Sequence, residues 1–358
     1  MPFYRALASS PTVVILQLGG SYNGSYSGRM RELLQARFGD AGRGVLPPGV
    51  PYRGYKPARV SVTQEDWSVV SSDLPGAPGP FGIAGVRQHA SGPATMTLTV
   101  GDSDDLAHAE IEVLREPGGG TLLAALEHGS RAPIATTAPT RNAAWQPVPP
   151  AAGSRTLTVE ALGDGPVNLL GWNIARGRPG VIYANLGTPG TDVDAMDRWD
   201  PTLVRQELQH LTPSLIVLAV GTAAGLRDSI SAAAYAEDLA ARLRELHAAA
   251  PQAALLVLGP PDEYLPRRRN SREPVACGDP QWTAPPNLSA IRLAQRVVAP
   301  REGAYFWDWQ AATGGPCAML RRAAPHLSAA AYRATAEALF RTLMDGYRRY
   351  REALRPAE

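Results

Sequence analysis

The stretch Thr12-Val-Val-Ile-Leu-Gln-Leu-Gly-Gly-Ser-Tyr22 runs apolar and then breaks at once into glycine and serine. So short an apolar run cannot cross a bilayer, which takes about 20 residues in a helix. It suits a strand buried on both faces that opens into a loop. The same form recurs at Val181–Leu186, Leu215–Val220, Ala254–Leu258 and Tyr305–Trp307. Helical spacing lies between these runs, at Leu203–Leu211, Ala232–Ala249 and Leu288–Val298, and a last amphipathic helix spans about Ser328 to Tyr347. Strands separated by helices predict a parallel sheet covered on both faces.

The first strand belongs to that sheet. It is followed by a helix near Arg29–Arg37, whose Met30, Leu33, Leu34 and Phe38 fall on one face before Gly39 and Gly42. Residues 47–179 differ in character. Pro and Gly turns separate short strand-like runs at Thr95–Val100, Glu110–Leu114, Thr121–Leu126 and Thr156–Ala161, the pattern of an antiparallel sandwich. The expected division is therefore 1–46 and 180–358 as two parts of one α/β unit, with 47–179 inserted as an all-β unit. Gly118-Gly119-Gly120 has no Lys-Ser/Thr after it and reads as a hairpin turn, not a phosphate cradle.

With 44% hydrophobic and 19% charged residues the chain is globular, and a formal charge of +2 with dispersed arginines gives no reason to expect nucleic acid. No integral membrane segment is expected. Two cysteines, Cys277 and Cys317, permit one disulfide, and six scattered histidines offer no metal-ligand spacing, so neither metal nor cofactor is expected. Residues 1–10 lack the layout of a signal peptide, which reads as cytoplasmic if Met1 is the true start.

An open parallel sheet carries its site beyond the carboxyl ends of the strands. There stand Gly19-Gly20-Ser21-Tyr22, Gly187-Thr188-Pro189-Gly190, Gly221-Thr222-Ala223-Ala224 and, before the last helix, Pro325-His326-Leu327-Ser328. Together they offer a serine nucleophile, glycine amides for an oxyanion and a histidine base, the minimum for acyl transfer. Ser25 and Ser27 share the same Gly/Ser-rich loop and are equally available as hydroxyls.

The order of these blocks resembles the SGNH (GDSL-type) hydrolases, and within them a two-domain subgroup that includes bacterial peptidoglycan O-acetylesterases. The resemblance rests on Ile15-Leu-Gln-Leu-Gly-Gly-Ser21, Ala36-Arg-Phe-Gly-Asp-Ala-Gly-Arg-Gly44, Gly79-Pro-Phe-Gly-Ile-Ala-Gly85 and Asn185-Leu-Gly187. It continues through Leu218-Ala-Val-Gly-Thr222, Gly259-Pro-Pro-Asp262, Phe306-Trp-Asp-Trp309 and Gly314-Gly-Pro-Cys317. It implies a flavodoxin-like three-layer sheet with an inserted, carbohydrate-binding-like, jelly-roll-like sandwich. It also implies Ser21 as nucleophile, the Ser21 and Gly187 amides as oxyanion donors, His326 as base and a Cys277–Cys317 disulfide. The implied partner is an O-acylated polysaccharide or peptidoglycan glycan, with no cofactor.

The chain departs from the pattern at four positions. Gly20 replaces the acidic residue of the opening block and Tyr22 its histidine; Ala223 replaces the block-three asparagine, and Ala323 the acid that orients the base. Losing one oxyanion donor costs about 10²–10³-fold in rate, and an unoriented histidine costs roughly 10⁴-fold in serine proteases. Asp262 and Asp308 are substitute carboxylates, neither in the usual place. The expectation is a weakly active esterase, or an inactive glycan-binding or polysaccharide-assembly accessory protein on the same fold. Tyr52, Tyr55, Trp67, Phe81 and Trp145 are candidates for a sugar-stacking face, and one of Trp307 and Trp309 for the cleft. A disulfide implies an oxidising compartment, so the periplasm or cell envelope is the expected location.

Overall fold

The computed structural model of the protein describes residues 2–20, 24–101, 106–268, 275–318 and 328–355. The chain begins with α1 (Pro2–Ser9), β1 (Thr12–Gly19), α2 (Gly24–Phe38) and β2 (Gly42–Leu46). Ten further strands cover the middle. They are β3 (Val60–Glu65), β4 (Ser68–Ser71), β5 (Val86–Ala90), β6 (Pro93–Val100), β7 (His108–Arg115), β8 (Thr121–Leu126), β9 (Ala132–Ala135), β10 (Asn142–Val148), β11 (Thr156–Leu162) and β12 (Val167–Ala175). The remainder alternates: β13 (Gly180–Asn185), α3 (Val193–Met196), α4 (Pro201–Leu211), β14 (Leu215–Ala219), α5 (Thr222–Gly225), α6 (Ala232–Ala249) and β15 (Ala254–Leu258). Three short strands, β16 (Leu265–Pro266), β17 (Val275–Ala276) and β18 (Asp279–Thr283), form a small sheet of their own. The chain closes with α7 (Leu288–Arg301), β19 (Tyr305–Trp307), α8 (Trp309–Ala312) and α9 (Ala329–Ala353).

The protein is a mixed α/β structure with several sheets. One sheet has the order β13-β1-β14-β15-β19 and is parallel throughout, with Ile15 opposite both Tyr183 and Leu215, and Leu258 opposite Trp307. Successive β1 side chains feed two cores. Val13 and Ile15 pack with α1, α2 and α9 on one face; Leu16 and Leu18 pack with α4, α6 and α7 on the other. Burial on both faces explains the unbroken apolar runs, each fully buried Leu or Ile contributing about 1.5–3 kcal/mol.

Polar residues mark the helix starts. The Asp200 carboxylate accepts from the Thr202 and Leu203 amides ahead of Pro201, and Ser231 and Ser328 cap α6 and α9. The helix expected at Arg29–Arg37 starts earlier, at Gly24, and α9 runs past Tyr347 to Ala353.

The middle strands form two antiparallel sheets, β10-β7-β12-β5-β4 with β2 also on β12, and β3-β6-β11-β8-β9. They share one core, in which Ile111 and Trp172 of the first meet Leu98, Leu122 and Leu157 of the second. Two details differ from the sequence reading. The segment Gly42–Leu46, assigned to the first α/β part, pairs with β12 through Leu46 opposite Trp172. The Gly118–Gly120 turn is not a hairpin, because β7 and β8 lie in different sheets. There the chain crosses between sheets against other backbone, and a Cβ on Gly119 would stand 2.4 Å from the Thr136 carbonyl oxygen.

Candidate functional site

The candidate site lies where β1, β13 and β14 end side by side. Gly19 turns the chain with φ +96°. The Gly20 amide donates to the Ala219 carbonyl at 2.7 Å, and the Thr188 amide donates to Gly19 at 2.9 Å. Gly20 and Thr188 form a parallel bridge that extends the sheet by one step. Gly187 is pressed against this junction, for a Cβ there would stand 2.4 Å from the Gly20 carbonyl oxygen and 2.9 Å from that of Gly19. Only glycine fits so close a backbone approach. Gly20 and Ala223 are both half-buried, Ala223 in the first turn of α5. Ser21, Tyr22, Ala323 and His326 lie outside the described residues.

The Gly187 amide was expected to point at an oxyanion. It donates instead to the Asn185 side-chain oxygen at 2.9 Å. Asn185 lies at the end of β13, where its short amide side chain reaches the backbone two residues on. An acyl oxygen bound there would have to displace that acceptor.

Two carboxylates that sequence reasoning passed over hold these loops. Asp192 is fully buried and accepts from the Val193, Gly221 and Ala224 amides at 2.9–3.0 Å. It thereby ties the loop after β13 to the turn that carries Ala223. Burial pushes its carboxyl up to about 6, against the pull of those three amides. Its sequence signal was slight: an Asp preceding a short helix reads as a cap. Asp73 follows β4 and accepts from Thr191 at 2.9 Å and Thr188 at 3.3 Å. Burial raises its carboxyl despite these hydrogen bonds. A side chain from the antiparallel sheets thus braces the loop against Gly20, a contact across 115 residues that no local pattern could announce.

The two substitute acids are both engaged. Asp262, buried beside Arg292 at 3.5 Å, accepts from the Cys317 amide at 3.0 Å, the Tyr264 hydroxyl at 3.1 Å and Gln310. Asp308 caps α8 through the Ala311 amide at 3.1 Å and pairs with Arg296. Cys277 and Cys317 are joined by a disulfide, with Cα atoms 5.6 Å apart.

The sugar-stacking expectation is corrected for most of its aromatics. Trp67 and Phe81 are core residues, and Trp145 lies flat on His210 with ring centroids 4.8 Å apart. Tyr52 and Tyr55 remain half-buried in an edge-on pair at 5.3 Å. Trp307 and Trp309 are both buried in the core beneath α9, so neither ring is exposed for stacking. Among the described residues no group of three or more His, Cys, Asp or Glu is placed to hold a metal. No described helix is long and apolar enough to cross a membrane.

A solved structure of a peptidoglycan O-acetylesterase superposes on this chain with a TM-score of 0.79 at 23% identity, covering 97% of this chain and 96% of the other. The chain has the fold of that esterase. At this identity the likeness concerns fold, not activity. A family two carbohydrate esterase from Clostridium thermocellum, solved with cellohexaose, matches at TM-score 0.30 and 11% identity over 78% of this chain and 99% of its own. A family 3 carbohydrate esterase from Talaromyces cellulolyticus matches at 0.34 and 15% over 48% of this chain and 74% of its own. No protein-family profile matches the sequence, and no curated protein does.

Proposed function

We propose that the chain is an SGNH-type serine esterase that removes O-acetyl groups from a carbohydrate of the cell envelope. Its hydrolase domain is 1–46 and 180–358, with an inserted carbohydrate-binding-like sandwich at 47–179. The supporting observation is the junction of Gly20 with Thr188 against Gly187 at the carboxyl end of the parallel sheet, because Ser21 is the next residue in the chain. In this reading the Ser21 hydroxyl attacks the acyl carbon and His326 takes its proton. The Ser21 and Gly187 amides bind the oxyanion, and the reaction calls for no cofactor. The disulfide supports a periplasmic or cell-envelope location.

The test is acetate release from O-acetylated peptidoglycan, with p-nitrophenyl acetate beside it, by wild type and Ser21→Ala. Turnover above background that Ser21→Ala abolishes is the expected result. Equal rates for the two proteins would remove the proposal.

A second reading is a glycan-binding or polysaccharide-assembly accessory protein. It is favoured by the occupied Gly187 amide and by the methyl group of Ala223 at the donor position. Saturable polysaccharide binding in a calorimeter without Ser21-dependent turnover would select it.

A further inference from the structure

Between β2 and β3 the chain makes a tight turn, Pro51-Tyr-Arg-Gly-Tyr-Lys-Pro57. The Tyr55 amide donates to the Tyr52 carbonyl at 3.2 Å, and Gly54 holds the third position with φ +85°, as a type II turn requires. Proline at either end fixes φ there, so the turn is stiff before anything binds to it. The two tyrosine rings meet edge-on with centroids 5.3 Å apart. Burial raises the Tyr55 phenol and Arg43 opposes it, which puts the tip of Tyr55 within electrostatic reach of β2. Tyr52 is half-buried beside it. Arg53 and Lys56 are exposed, and neither has an ion-pair partner among the described residues.

The turn leans on the start of α2. A Cβ on Gly24 would stand 2.5 Å from the Lys56 carbonyl oxygen, and one on Gly28 would stand 2.7 Å from the Ala58 side chain. Gly24 comes four positions after Gly20, the residue at the candidate junction. At about 3.6 Å per residue the two are separated by roughly 14 Å at most. A short run of sugar rings bridges that distance.

We propose that this turn is a subsite of the candidate site and takes a sugar that carries a carboxylate. Tyr52 lies against the apolar face of the ring, while Arg53 and Lys56 hold the carboxylate. An aromatic face covers sugar C–H groups at small entropic cost, and a guanidinium fork matches the two oxygens of a carboxylate. A neutral sugar would use the ring but leave both cations idle, and a small anion would use the cations but not the ring. The inference rests on the reading that a glycan is bound at Gly187, whether it is deacylated there or only gripped.

The experiment is calorimetric titration of the purified chain with two tetrasaccharides. One is the peptide-free repeat of N-acetylglucosamine and N-acetylmuramic acid; the other is chitotetraose, which differs only in lacking the lactyl carboxylates. The first should bind about tenfold tighter, as two exposed ion pairs allow, and salt should shrink the difference. Arg53→Gln and Lys56→Gln should each weaken the first roughly two- to fivefold and leave the second unchanged. Tyr52→Ala should weaken both about tenfold, and Arg301→Gln, at the far end of α7, should affect neither. The thermal transition of each variant is compared with wild type, and the exposed Arg53 and Lys56 carry the test if Tyr52→Ala does not fold. Equal binding of the two tetrasaccharides, binding of neither, or indifference to Arg53→Gln and Lys56→Gln would each overturn the proposal. Acetate release by wild type and Ser21→Ala separates the two claims. Ser21-dependent release beside any of those three outcomes removes the subsite alone, and carboxylate-dependent binding without release keeps the subsite and removes the esterase.

Discussion

Glu207→Gln should flatten the pH dependence of stability between pH 5 and pH 8. Glu112 on β7 and Glu207 on α4 are both 2% exposed and hydrogen-bonded to one another, where the antiparallel sheets meet the α/β part. The Ile83 amide donates to Glu207 at 2.8 Å, and Gly82 packs so close that a Cβ would lie 2.0 Å from a Glu207 oxygen. Two carboxylates cannot both be charged there, with Glu110 and Asp200 adding further negative charge. Burial above all pushes Glu207 up to about 7 from 4.5, and Glu112 is raised as well. A carboxyl raised in the folded state favours folding fully below its unfolded value, and that contribution is lost as pH climbs through the folded value. At about 1.36 kcal/mol per unit, Glu207 contributes roughly 3 kcal/mol at pH 5 that is gone at pH 8. Asp192 and Glu263 are raised in the same direction, so wild type alone does not isolate the pair. The glutamine keeps the shape, accepts from Ile83 and donates to Glu112 without a proton. Urea unfolding followed by tryptophan fluorescence at pH 5 and pH 8 measures both proteins. If their stabilities run parallel across that range, the shared-proton account fails.

Three further outcomes follow from the site. Gly187→Ala forces a methyl group onto the Gly20 carbonyl. It should cost roughly 1–3 kcal/mol in denaturant titration and lower turnover, whereas a rigid loop that tolerates it would show none of this. Ala223→Asn introduces a side-chain donor at a half-buried position of α5. It should raise kcat on p-nitrophenyl acetate up to about 100-fold with little change in KM, and an unchanged kcat would mean that Ala223 does not face the reacting acyl group. Breaking the disulfide with Cys277→Ala and Cys317→Ala opens a link between residues 40 apart, worth roughly 4 kcal/mol by loop entropy. Thermal unfolding with and without reductant checks it: wild type should fall toward the double variant, which itself should not respond.

The parallel sheet was legible because burial on both faces leaves a signature needing no context, and β15 begins and ends where the apolar run Ala254–Leu258 does. The α6 boundaries follow equally from local signals, Ser231 at the start and the end of apolar spacing at Ala249. β2 was missed since Gly42-Arg-Gly-Val-Leu46 has too few side chains to show alternation, and its pairing with β12 is set by a partner far along the chain. At the site, the order of the glycine loops could be read, but not which amides they leave free. Asn185 shows why: in sequence it is one more residue of a motif, while in space its side chain competes for the Gly187 amide that the motif would reserve for substrate. Trp67, between β3 and β4, and Phe81, in the loop before β5, misled in the opposite way, since an aromatic ring serves a core as readily as a sugar.

Holding the loops and performing the chemistry make separable demands on this end of the sheet. Asp192, Asp73 and the Asp262 cluster fix the turns after β13 and β14 and the disulfide segment, through buried or half-buried carboxylates whose hydrogen bonds would be costly to leave unmade. None of the three has an evident part in acyl transfer, and each would serve a glycan-binding cleft as well as an esterase. Gly20 and Ala223 lie in this braced frame: a Cβ on Gly20 would meet the Ala219 carbonyl oxygen at 3.3 Å, and Ala223 lies in the single turn of α5. Both proposed readings place a bound acyl or glycan group at Gly187. They part on one hydrogen bond. If ligand binding turns the Gly187 amide away from Asn185, an oxyanion can form there; if the pair persists with ligand bound, the frame grips without reacting.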